Sequence, residues 1–189
     1  MPSHRSTPFH RVVALMLLLT VPAYAAEKPL SISDLGMPQQ ETQNNPKLQQ
    51  DLQTRSTMLK WHQWLGIAAL APMAGNYIIG TGSPLDASTR NLHVTLGLST
   101  AVLYFTSAAF AIFAPKPDGI KDTGSTKWHR WLSFIHFPLM ILVPILGNMA
   151  RQQAENGEKL SGAASYHGIA SSALLATYAA SITVMVFNF

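Results

Sequence analysis

Lys60-Trp61-His62-Gln63-Trp64-Leu65 and its near copy Lys127-Trp128-His129-Arg130-Trp131-Leu132 share the pattern K-W-H-x-W-L, and each opens a long apolar stretch. These stretches run roughly over 58–80 and 128–149, and two more follow the same design. Asn91-Leu92-His93 opens one at 92–114, and Ser165-Tyr166-His167 lies at the head of another at 164–187. About 20 apolar residues suffice for a helix to cross a bilayer. Backbone groups in lipid must find partners within their own segment, so the four stretches are expected to be helices. The connectors Gly80–Asn91, Pro115–Lys127 and Arg151–Gly162 are short and carry Gly and Pro, as turns require. Short connectors make neighbours antiparallel. The expectation is an all-α integral membrane protein, an up-down-up-down four-helix bundle over residues 57–189.

Composition agrees. Of 189 residues, 48% are hydrophobic and only 12% charged, about half the charged share of a soluble domain. Zero cysteines exclude disulfides, Cys-ligated zinc, iron–sulfur clusters and covalent haem attachment through C-x-x-C-H. The net charge of +4 is spread over loops without a basic run, which argues against nucleic acid as a partner. All nine acidic residues lie outside the four stretches, so an ion pump or proton-coupled carrier would lack its usual intramembrane carboxylate.

Residues 1–25 read as a cleavable signal peptide. His4, Arg5 and Arg11 form a basic start, Val12 to Val21 an apolar run too short to span, and Ala23-Tyr24-Ala25 a small-x-small cleavage site. Residues 26–56 are polar and Gln-rich and read as a tail or linker, flexible to about 45 and helical afterwards because Asn45-Pro46 suits a helix start. A cleaved signal puts this tail outside the cytoplasm, which for a bacterial inner membrane means the periplasmic side. Loop charges point the other way. Lys28, Lys47, Arg55, Lys60, Lys116, Lys121, Lys127 and Arg130 would lie outside, against Arg90, Arg151 and Lys159 inside. The signal is taken as decisive because it engages translocation first.

The histidines carry the chemistry. His62, His93, His129 and His167 head the four stretches, and each is followed four residues later by a small residue: Gly66, Gly97, Ser133 and Ser171. An i,i+4 pair shares one helical face. A flat macrocycle stacked beside an axial imidazole needs such clearance. In the expected topology the starts of the first and third stretches share one membrane side, and those of the second and fourth share the other. His62 with His129, and His93 with His167, would then each clamp a planar ligand across the core, as bis-imidazole ligands to haem iron. A helix N-terminus disfavours imidazolium and would keep each ring neutral for a metal. His136, two turns beyond His129, is an alternate ligand, a propionate contact, a proton carrier or a neutral His bonded to another helix. The Trp residues around His62 and His129 suit a membrane interface whatever the histidines do.

In these features residues 57–187 resemble the cytochrome b561 superfamily, the match resting on His62, His93, His129 and His167, one per core helix in the required order. The resemblance implies a four-helix core with two b-type haems near opposite membrane faces, and transmembrane electron transfer. It does not extend to the family's ascorbate-associated basic motif, so donor and acceptor stay open between a quinol and a redox protein. An electron carrier is expected ahead of a stand-alone oxidoreductase. Two other readings stay open. One is a haem-dependent quinol oxidase or ferric reductase using His136, Tyr104 or Arg130 near its substrate. The other is a non-redox membrane assembly subunit with interfacial histidines. Membrane lipids are partners under every reading; a homodimer or a place in a larger complex is left open.

Overall fold

The computed structural model describes residues 45–81, 86–120, 122 and 124–187. The expected signal peptide at 1–25 and the tail up to residue 44 lie outside these residues. Among the described residues there is no strand, and four long helices account for most of the chain: α1 (Pro46–Gly80), α2 (Ala87–Ile112), α3 (Gly124–Glu155) and α4 (His167–Phe187). A short 3-10 helix, Gly162–Tyr166, leads into α4.

Local chemistry explains the ends. Asn45 caps α1, its side chain accepting from the Leu48 N–H, and Pro46 takes a first-turn position where its missing N–H costs nothing. Asp86 caps α2 by accepting from the Thr89 N–H at 2.7 Å. Gly119, Gly124, Gly157 and Gly162 all adopt positive φ and lie in or at the ends of the connectors, where the chain must reverse.

Three helical segments are long and apolar enough to cross a membrane: α2, α3, and the 3-10 helix with α4 (Gly162–Phe187). This is the make-up of an integral membrane protein. The expectation of four such spans is corrected in one respect, since α1 does not reach that standard among the described residues. Its stretch at 58–80 interleaves Lys60, His62, Gln63 and Asn76 with the apolar residues, and α1 begins a further twelve residues earlier in polar sequence.

Packing joins the helices in a ring. α1 lies along α2, α3 along α4, and α1 also meets α4. Tyr104 of α2 packs on Phe137 of α3 and completes the circuit. Neighbours run antiparallel, as His62 on α1 lies beside Ser107 near the end of α2, and His129 on α3 beside Ser181 near the end of α4. The core holds Ala69, Met73, Tyr104, Met140, Leu174 and Tyr178. Buried with it are polar groups, Thr100, Ser107, His136 and Ser181, while Leu98, Val102, Phe134 and Ile169 are 64–70% exposed. A soluble monomer rarely displays so much apolar surface. Polar groups inside and apolar side chains outside are what lipid favours, because the interior supplies the hydrogen bonds that lipid cannot.

The Thr89 N–H holds the Asp86 carboxyl below the usual carboxylate range. The cap's contribution is therefore complete above the unfolded carboxyl pKa of about 3.9 and is lost as pH falls through the lower folded value. Asp86→Ala is expected to lower the unfolding temperature in detergent at neutral pH. Asp86→Asn is expected to keep most of the cap and to abolish this acid-side dependence.

Candidate functional site

The antiparallel packing brings the four span-heading histidines together in two pairs on opposite diagonals. The His62 and His129 rings are 5.8 Å apart between centroids, with planes at 75°. The His93 and His167 rings are 6.1 Å apart, with planes at 78°. All four rings are half-buried.

Each ring is held from a neighbouring helix. His62 Nδ1 donates to the Ser107 backbone carbonyl at 3.0 Å, His129 Nδ1 to that of Ser181 at 3.1 Å, and His167 Nδ1 to that of Val143 at 3.1 Å. A carbonyl only accepts, so these bonds place the proton on Nδ1 and leave Nε2 with a free lone pair. The His93 ring lies against the Asn76 backbone, but its Nδ1 is buried without a hydrogen bond of ordinary geometry. The Asn76 side-chain oxygen is likewise buried and unpartnered. The first pair has serine hydroxyls as well. Ser107 Oγ lies 3.0 Å and Ser181 Oγ 2.7 Å from the Nδ1 atoms of His62 and His129.

The second pair is seated against glycines. A Cβ on Gly80 would come within 3.0 Å of His93 Cε1, and one on Gly147 within 2.9 Å of His167 Cε1. The small residues four places after each histidine have other neighbours. Gly66 makes room for Ser107 and for Tyr178, whose hydroxyl donates to the Gly66 carbonyl at 2.7 Å. Gly97 faces the Asn76 side chain. Ser133 and Ser171 turn back on their own helices, donating to the carbonyls of Arg130 and His167. His136 is only 5% exposed and engaged at both ring nitrogens, by the Tyr104 hydroxyl at 2.7 Å and the Ser181 hydroxyl at 3.3 Å. Arg130 forms an ion pair with Asp122. A shallow groove of about 370 Å³ between Lys127, Trp128 and Trp131 lies at the His129 end of α3.

One part of the sequence argument does not survive. His62 sits 16 residues inside α1, so no helix N-terminus acts on it; that influence fades within the first turn. Neutrality at His62 comes instead from its Nδ1 bond.

The glycines, serines and tyrosines follow a repeat that the K-W-H-x-W-L motif only begins. Gly80 follows His62 by 18 residues, and Gly147 follows His129 by 18. Tyr104 and Ser107 follow His93 by 11 and 14 residues, and Tyr178 and Ser181 follow His167 by the same intervals. Met73 and Met140, both buried, obey the same register, as do Asn76 and Val143, the residues against which the second pair's rings lie. The molecule is thus two similar helix pairs, α1–α2 and α3–α4, facing each other. The signal for Ser107, Ser181 and Tyr178 was this H-x10-Y-x-x-S repeat.

Among the described residues, no three His, Cys, Asp or Glu side chains converge to hold a metal ion. No protein-family model, curated protein or solved structure matches the chain.

The glycine contacts make a controlled prediction. A Cβ at Gly147 meets a rigid ring, whereas one at Gly75 meets only Leu96 Cδ1, at 3.9 Å. Alanine is a better helix former than glycine by up to about 1 kcal/mol. Gly75→Ala is therefore expected to leave stability in detergent unchanged or raised, and Gly147→Ala to lower it despite the same gain in propensity.

Proposed function

We propose that this chain is a b-type cytochrome that carries electrons across a membrane, with His62 and His129 as axial ligands of one haem and His93 and His167 as ligands of a second. The observation that carries the reading is the spacing within the pairs. Two metal–nitrogen bonds of about 2 Å, each added to about 1.2 Å from nitrogen to ring centre, separate two coaxial imidazoles by about 6.3 Å. The observed 5.8 and 6.1 Å lie close to that figure.

Three features support it. Two imidazoles alone make a poor site for a bare ion, but they suit a metal that brings its own planar set of four donors. The Nδ1 bonds orient the rings and leave Nε2 free, as ligating histidines require. Gly80 and Gly147 let the helices close on the second pair. Bound there, haem iron would supply one-electron exchange between its ferric and ferrous states.

The two centres lie toward opposite ends of the helices. Along α3, 14 to 18 residues separate His129 from the level of Val143 and Gly147, about 21–27 Å of helix, most of the ~30 Å hydrocarbon thickness. On this reading the four helices form an up-down-up-down bundle in which α1 crosses the membrane shielded by α2 and α4. The signal peptide would leave the tail on the periplasmic side of a bacterial inner membrane. The resemblance to the cytochrome b561 superfamily agrees with the pairing. A quinol or a redox protein remains the class of donor and acceptor, and the chain acts as carrier between them. His136 and Tyr104, named as substrate contacts under an oxidase or reductase reading, are buried against each other.

His62→Ala or His129→Ala is expected to remove one haem and leave the other, as is His93→Ala or His167→Ala, read from reduced-minus-oxidised spectra. The near-perpendicular ring planes predict strongly anisotropic low-spin ferric signals in electron paramagnetic resonance. Full haem retention in all four variants would overturn the assignment.

A further inference from the structure

The two halves match residue for residue around the first histidine pair except at one place. The counterpart of His136 in the first half is Ala69, 67 residues earlier, and both are buried. What surrounds them differs accordingly. On the first side, Ser107 Oγ donates to the His62 backbone carbonyl at 2.7 Å and so accepts from His62 Nδ1. On the second side no such carbonyl bond closes the circuit; Ser181 Oγ faces His136 Nε2 instead.

Proton placement then follows by elimination. The Ser181 carbonyl fixes the proton of His129 on Nδ1, so Ser181 Oγ accepts from that N–H and keeps its own hydrogen to donate. The acceptor within reach is His136 Nε2. His136 must therefore carry its proton on Nδ1 and donate it to the Tyr104 oxygen at 2.7 Å. Tyr104 is 4% exposed and Ser181 fully buried, so no solvent competes for these bonds.

We propose that His136, braced by Tyr104 and acting through the Ser181 hydroxyl, is a positioning residue for His129 that distinguishes the first centre from the second. The inference rests on the two-haem reading. Neither member of the second pair has such a hydroxyl on its Nδ1: His167 has the Val143 carbonyl and His93 has no bond of ordinary geometry. A stronger bond from Nδ1–H makes an imidazole a better electron donor to its metal and favours the ferric state. The chain Tyr104–His136–Ser181 thus lowers the potential of the haem at His62 and His129.

The test is an optical redox titration of the full-length haem-loaded protein in detergent, with each haem identified by its loss in His62→Ala or His167→Ala. Ser181→Ala and His136→Phe are expected to raise the midpoint potential of the haem lost in His62→Ala and to leave the other where it was. His136→Gln, whose amide can accept from Ser181 and donate to Tyr104, is expected to restore the original value; a residue that merely fills space would not show this rescue. Ser181→Ala alters only a hydroxyl, so the test stands if His136→Phe fails to fold. Unchanged potentials in Ser181→Ala, equal shifts of both haems, or failure of His136→Gln to restore the value would overturn the proposal while leaving the two-haem reading intact. A wild-type protein without haem would overturn both, and is a different result.

Discussion

The hydrogen bond from a histidine Nδ1 to a backbone carbonyl on the next helix is the contact on which the site depends. Such a carbonyl already accepts its intrahelical bond and has a second lone pair to offer. Using it demands that the helices approach closely and that the ring lie in one plane. Three rings meet this demand, those of His62, His129 and His167. Once the Nδ1 is committed, the Nε2 of each ring faces its diagonal partner with a free lone pair. One bond thereby fixes orientation, tautomer and chemical readiness together.

Lipid makes that commitment durable. In water a half-buried imidazole could trade its carbonyl for solvent, but inside a membrane the neighbouring helix is the source of partners. The same logic explains why hydroxyls, phenols and an imidazole occupy the interior while Leu98, Val102 and Phe134 face outward. The doubled design adds economy: one arrangement of His, Gly, Tyr and Ser, used twice, makes both diagonals. Its single break in the shared polar lining, Ala69 against His136, changes the neighbour of Ser181. It also changes the tyrosines. Tyr178 reaches past the small Ala69 to the Gly66 carbonyl, whereas Tyr104 is captured by His136.

Much of this was legible in the sequence. The repeated K-W-H-x-W-L motif, four apolar stretches and short connectors were enough to predict helices and, through antiparallel order, both diagonal pairs. The helix start at Asn45-Pro46 was legible from capping chemistry. What escaped did so for physical reasons. The polar interruptions of α1 weaken its apolar character, because a helix flanked by others needs less of it. A dipole argument for His62 failed because a helix start cannot be located from its apolar part alone. Gly66 was read as clearance for a ligand, yet its neighbours come from α2 and α4, which no spacing within α1 reveals. The Ser and Tyr residues were hidden because their repeat, H-x10-Y-x-x-S, joins opposite ends of a helix, and its meaning appears only once the helices are paired.

The most direct test of the central claim is the haem content of the purified wild-type chain, by pyridine haemochrome against protein concentration, from a host able to supply haem. Two b-type haems per polypeptide, both low-spin, is the result that two bis-imidazole centres predict. A protein that folds, inserts and carries no haem would contradict the account.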